Sequence, residues 1–183
     1  MEAFLVSTGL VAIAEIGDKT QLLSLVLAAR FRRPIPIIFA ILIATLANHA
    51  LAALLGTSIS AWLGAETLRW IVGLSFLAMA AWALIPDKLD DDSAAPARFG
   101  VFLTTFIAFF IAEMGDKTQV ATIALAARFD AFYWVLAGTT LGMLIANIPV
   151  ILFGDHLLKR LSMRWVHRFA ALLFALLGFW ALM

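Results

Sequence analysis

The chain has 183 residues, 64% of them hydrophobic, with a formal net charge of +1 and no cysteine; its mean hydropathy is +1.02. Soluble domains are nearer ~45–50% apolar, so composition excludes water as the main solvent, and the missing cysteines exclude disulfides and thiolate metal sites. The small net charge gives no sign of a nucleic-acid partner, and the expected surroundings are a lipid bilayer.

Apolar runs near 3–29, 35–57, 68–85, 100–127, 131–154 and 165–183 each approach the ~20 residues a helix needs to cross the hydrocarbon core. The sequence therefore predicts an all-α integral membrane protein with six transmembrane helices, and six crossings leave no room for a separate soluble catalytic domain. The first run carries Glu2 where a signal peptide would be basic, and no small-residue cleavage site follows a short apolar stretch, so it is expected to remain as a helix. The second run holds Asn48 and His49, polar groups at membrane depth that could border an ion route or simply bond a neighbouring helix. After the third run comes a polar stretch, Pro86 to Arg98, with Asp90, Asp91, Asp92, Ser93 and Pro96. It reads as a solvated linker, 86–98, between a three-helix half at 1–85 and another at 99–183. The fifth run carries Asn147 and Pro149, the latter a predicted kink. The six tryptophans lie mostly near predicted helix ends, where interface anchoring suffices.

Outside the motifs described next, nine Lys and Arg residues fall in or beside the first, third and fifth connections: Arg30, Arg32, Arg33, Lys88, Arg98, Lys159, Arg160, Arg164 and Arg168. On the other face fall Arg69 and Arg128. The positive-inside rule then puts those three connections in the cytoplasm and both termini outside.

Residues 13–21 read Ile-Ala-Glu-Ile-Gly-Asp-Lys-Thr-Gln and residues 111–119 read Ile-Ala-Glu-Met-Gly-Asp-Lys-Thr-Gln, eight of nine identical at an offset of 98. Leu27-Ala-Ala-Arg-Phe31 recurs as Leu125-Ala-Ala-Arg-Phe129 at the same offset. Farther on the match loosens, and Asn48 needs a one-residue slip to meet Asn147. Three crossings per half make the second half enter from the opposite side, so the halves are expected to be inverted repeats, with a site near the midplane where the motif helices meet.

Glu15 lies about twelve residues into its run, ~18 Å along a helix and close to the middle of a ~30 Å core. Charges at that depth cost at least ~2.5–3.5 kcal/mol each, so they should face the bundle interior and be paired or hydrated. On a continuous helix Glu15, Asp18 and Lys19 share one face, with Gln21 beside Asp18; Glu113, Asp116, Lys117 and Gln119 repeat this. Gly17 and Gly115 could admit a facing helix or let the backbone open. Thr20 and Thr118 could add hydroxyls or bond back to the helix. Four buried acids against two ammonium groups leave two negative charges, which one divalent cation or two protons would neutralise. Oxygen ligands suit hard ions such as Mn2+, Ca2+ and Mg2+. The lysines are expected to hold the carboxylates by salt bridges, either within a motif or across the repeat axis. The plainer reading is a set of structural ion pairs joining the two motif helices.

The paired Glu-x-Gly-Asp-(Lys/Arg)-(Ser/Thr) motifs resemble those of small cation/proton exchangers that include bacterial manganese exporters and Golgi calcium/manganese transporters, and both copies fit the pattern over essentially the whole chain. The resemblance implies export of Mn2+, or Ca2+, in exchange for protons, with no prosthetic group and with Glu15, Asp18, Glu113 and Asp116 as the cation-binding acids. Without a eukaryotic leader it further suggests a bacterial inner-membrane protein. Two other functions fit the residues less well: an exporter of a small organic cation or amino acid, which would need recognition groups beyond Gln21 and Gln119, and an intramembrane metal-dependent hydrolase, which would want Arg or Ser near the acids.

Overall fold

The computed structural model describes residues 1–85, 100–154 and 163–183, and within them the chain is helical. In order the helices are α1 (Glu2–Ala14), α2 (Lys19–Phe31), α3 (Pro34–Trp62), α4 (Ala65–Trp82), α5 (Gly100–Glu113), α6 (Lys117–Phe129), α7 (Phe132–Phe153) and α8 (Met163–Leu182). Each of the last four begins 98 residues after its counterpart among the first four. The correspondence extends to single backbone angles: α2 and α6 both stop at a left-handed residue, Arg32 (φ 52°) and Asp130 (φ 47°).

Where one continuous helix is predicted over 3–29 and another over 100–127, the structure has two shorter ones with a break at the motif. Glycine permits the break. Gly17 and Gly115 adopt φ of 81° and 76°, a left-handed conformation that costs side-chain-bearing residues ~1–2 kcal/mol and glycine almost nothing. The next residues, Asp18 and Asp116, are extended and serve as N-caps of α2 and α6. The polar stretch 86–98 lies outside the described residues. Pro149 sits inside α7, which continues through it to Phe153.

By length and composition α3, α7 and α8 can cross a membrane, and α1 and α5 are shorter apolar helices. Polarity is distributed inside out. Ile35, Phe39, Ile43, Leu51, Leu54 and Leu55 of α3 are exposed, while Asn48 and His49 of the same helix are fully buried. A contiguous apolar exterior of this kind is a liability in water and the ordinary state in lipid, and the molecule is accordingly a membrane protein.

Glycines let the helices approach until backbones touch. A Cβ on Gly138 would lie 2.6 Å from Phe4 O and one on Gly142 2.7 Å from Thr8 O, so α7 lies directly on α1; a Cβ on Gly56 of α3 would lie 2.3 Å from Ile123 O of α6. Small residues are what membrane helices use for such contacts, since dispersion rather than water exclusion drives their association. Gly142→Val should therefore wedge α1 from α7 and cost about 1–3 kcal/mol of stability, the range for overpacking. The check is the thermal midpoint in detergent, and an unchanged midpoint would contradict the contact.

Candidate metal centre

Opening the helices at Gly17 and Gly115 turns two helix ends into parts of a site. The freed backbone N–H of Gly17 is taken up by its own motif, donating to Gln21 Oε1 at 2.7 Å, and Gly115 N donates to Gln119 Oε1 at the same distance. The first residues of α2 and α6 are Lys19 and Lys117, which places both ammonium groups beside the break. Neither N-cap aspartate caps a backbone N–H of its own helix with its side chain, although Asp116 Oδ2 accepts a 3.4 Å bond from the Thr118 hydroxyl. Each instead faces the other motif's lysine.

The ion pairs are reciprocal: Lys19 Nζ lies 3.1 Å from Asp116 Oδ1, and Lys117 Nζ lies 2.7 Å from Asp18 Oδ1. They are not equally sheltered, for the Lys19 side chain is 27% exposed and that of Lys117 only 4%. The aspartates are thus matched one for one, and the two glutamates carry the remaining negative charge. Each receives a hydroxyl from its own motif, Thr20 donating to Glu15 and Thr118 donating to Glu113 at 2.6 Å. Among the described residues Glu15 Oε1 and Glu113 Oε2 have no hydrogen-bond partner.

Glu15, Glu113 and Asp116 are buried, and each can offer one oxygen within 4.8 Å of those of the other two. Two ligands of one cation are separated by at most about twice a ~2.0–2.6 Å metal–oxygen bond, so the three carboxylates can meet one ion. Asp18, the fourth acid singled out from sequence, is not part of this group of three; its carboxylate pairs with Lys117. His49 of α3 is fully buried, its Nε2 3.6 Å from Glu113 Oε1, and neither ring nitrogen has a hydrogen-bond partner among the described residues.

Amides tie this centre to α3 and α7. Gln119 Nε2 donates to Asn48 Oδ1 at 2.5 Å, and Asn48 Nδ2 donates to Phe110 O at 3.4 Å. On the other side Gln21 Nε2 donates to Ala146 O at 2.8 Å, and Asn147 accepts a 2.7 Å bond from Ser24 while donating to Met143 O at 3.0 Å. All thirteen residues singled out from sequence, Asn147 included, therefore fall in or beside one connected polar region. Sequence reasoning missed Ser24. It could have been found, because it follows Gln21 by one helical turn, where it continues the polar face.

The family model described as "Divalent cation/proton antiporter GDT1" matches residues 3–91 and 101–183 of the chain. A Vibrio cholerae protein named "Putative manganese exporter" is 53% identical over 179 residues, covering 97% of this chain and 89% of that protein. A GDT1-like protein of Synechocystis is 28% identical, covering 96% of this chain and 94% of the relative. The Saccharomyces cerevisiae protein named "Divalent cation/proton antiporter GDT1" is 24% identical, covering 95% and 81%. No solved structure matches.

Proposed function

The chain belongs to the divalent cation/proton antiporter GDT1 family, and on that premise we propose that it exports Mn2+ in exchange for protons through a centre made by its two Glu-x-Gly-Asp-Lys-Thr-Gln motifs. The observation that carries this reading is the charge pattern of the reciprocal pairs: each lysine is spent on an aspartate of the other motif, and two buried glutamates are left in one cluster with Asp116. One divalent cation neutralises that pair. Two protons do the same, which is the condition for exchange at a shared site. An antiporter returns its substrate chemically unchanged, so the chain is not an enzyme.

In this reading Glu15, Glu113 and Asp116 ligate the ion, Asp18 joins when its pair with Lys117 loosens, and Lys19 and Lys117 hold the aspartates. Thr20 and Thr118 orient the glutamates; Gln21 and Gln119 seal the backbone breaks and, with Asn48 and Asn147, border the route. His49 Nε2 supplies a nitrogen donor, which Mn2+ accepts more readily than Ca2+, an ion that takes oxygen ligands. Ca2+ is then carried less well.

The chain crosses the membrane six times, α1 with α2 and α5 with α6 each making one broken crossing, in two halves, 1–85 and 99–183, joined by 86–98. The constant 98-residue spacing of helix starts and the reciprocal pairing support an inverted repeat, in which helix ends near the midplane present dipoles to the ion. We place it in a bacterial inner membrane with both termini periplasmic, following the charge bias of the connections.

Uptake into proteoliposomes under an imposed pH gradient, with Mn2+, Ca2+ and an amino-acid panel, tests this. Expected is Mn2+ flux above Ca2+ flux, both collapsing when the gradient is removed, with the Mn2+/Ca2+ ratio lowered in His49→Ala. Amino-acid flux in place of metal flux would overturn the substrate assignment.

A further inference from the structure

The cation chemistry leaves two arginines unused, and the structure brings them together. Arg69 of α4 and Arg128 of α6, the pair that falls on the face opposite the other basic residues outside the motifs, line one cavity of about 340 Å³, which Ala65, Leu68 and Met183 help to close. Among the described residues no carboxylate lies within ion-pair distance of either guanidinium. Arg128 is held in position, its guanidinium carbon 4.4 Å from the centroid of the Trp180 ring, a contact that orients a cation without neutralising it.

A third positive element opens on the same cavity. Its wall includes Ala65 and Leu68, the first turn of α4, whose N-cap is Gly64 with no side-chain cap bond. Leu68 N is the first amide satisfied within this helix, by Gly64 O, so the preceding N–H groups remain available to an anion, as at other helix N-termini. Two guanidiniums, that of the exposed Arg69 and that of the half-buried Arg128, share one concavity with a helix N-terminus, and together they outweigh the single carboxylate that the terminal Met183 brings to its wall.

The surroundings say which anion. Trp62, Trp70, Tyr133 and Trp134, all exposed, lie at the end of the molecule where α3 ends and α4 and α7 begin, and Ser60 of α3 bonds Asp130 at the end of α6. Such an aromatic belt marks headgroup level. Farther along α4, Ile71 and Leu74 are exposed, an apolar track leading from the cavity toward the hydrocarbon.

We propose that this cavity binds the phosphate of an anionic phospholipid, with Arg69, Arg128 and the start of α4 on the phosphodiester and the acyl chains along the outer face of α4. The site rests on the membrane-spanning reading and is independent of the cation centre.

The test is lipid binding to the purified full chain in detergent, measured by native mass spectrometry during titration with phosphatidylglycerol. Arg69→Gln with Arg128→Gln removes both charge-assisted contacts to the phosphate and should weaken binding about thirtyfold. Arg33→Gln, an exposed arginine at the opposite end, should leave it unchanged. Phosphatidylcholine and inorganic phosphate at the same concentrations should fail to displace the lipid. Equal retention of phosphatidylglycerol by the double variant overturns the proposal, and so does displacement by inorganic phosphate, which would make the ligand a free anion. If the double variant does not give helical, monodisperse protein, Arg69→Gln alone should weaken binding about fivefold, and no change there overturns the proposal equally.

Discussion

Glu15→Gln and Glu113→Gln should each reduce Mn2+/proton exchange on the order of a hundredfold or more. Changing a neighbour that merely orients a metal ligand costs ~10–100-fold, and these substitutions remove the ligand charge itself. Glutamine keeps the shape and can still accept the threonine hydroxyl that each glutamate now receives, so folding should survive while one of the two uncompensated charges disappears. A centre with a single remaining negative charge no longer matches a divalent ion. Initial rates of Mn2+ entry into proteoliposomes at matched protein density decide the matter: either variant retaining a third of the wild-type rate would show that its carboxylate is not a ligand. Asp116→Asn should fall nearly as far, since Asp116 shares the cluster with both glutamates.

The second large effect concerns stability. Lys117→Met leaves Asp18 buried without the ammonium group 2.7 Å away, and breaking one side of a buried pair typically costs ~3–5 kcal/mol. Adding Asp18→Asn to Lys117→Met should restore most of that loss, because the charge left stranded by the first change is then removed. The equivalent change at Lys19, whose side chain is 27% exposed, should cost less, since water can approach the pair it leaves behind. Chemical denaturation in mixed micelles of the two single variants and the double variant measures this. A double variant no more stable than Lys117→Met would mean that the pair does not carry the energy assigned to it.

Much of this arrangement was legible in the residues. The repeated motif points to a candidate centre, and the count of four acids against two lysines leads to the expectation of lysine–carboxylate bridges; the sequence leaves open whether they cross between motifs, and in the structure they do. The interruption of both motif helices was less legible. Glu, Lys and Gln are good helix formers and a single interior glycine costs only ~1 kcal/mol, so local propensity allows a continuous helix through Gly17. What uses the opening is tertiary: from an extended cap, Asp18 and Lys19 reach Lys117 and Asp116 of the opposing motif. Length also misled, since two helices of 13 residues with a four-residue break have the same apolar span as a single long one. The His49–Glu113 contact was beyond sequence reasoning, because it depends on how α3 rotates against α5, which no periodicity within α3 encodes.

Because each motif lysine finds its counter-charge in the other half of the chain, neither half is electrically complete by itself. In the proposed six-crossing arrangement the first half would enter the membrane with Glu15, Asp18 and Lys19 near mid-depth and would lack the partners Asp116 and Lys117 until the second half follows. Insertion and assembly are thereby joined into a single event, and severing the chain between residues 85 and 100 should give two fragments that are each degraded when made alone and rescued when made together.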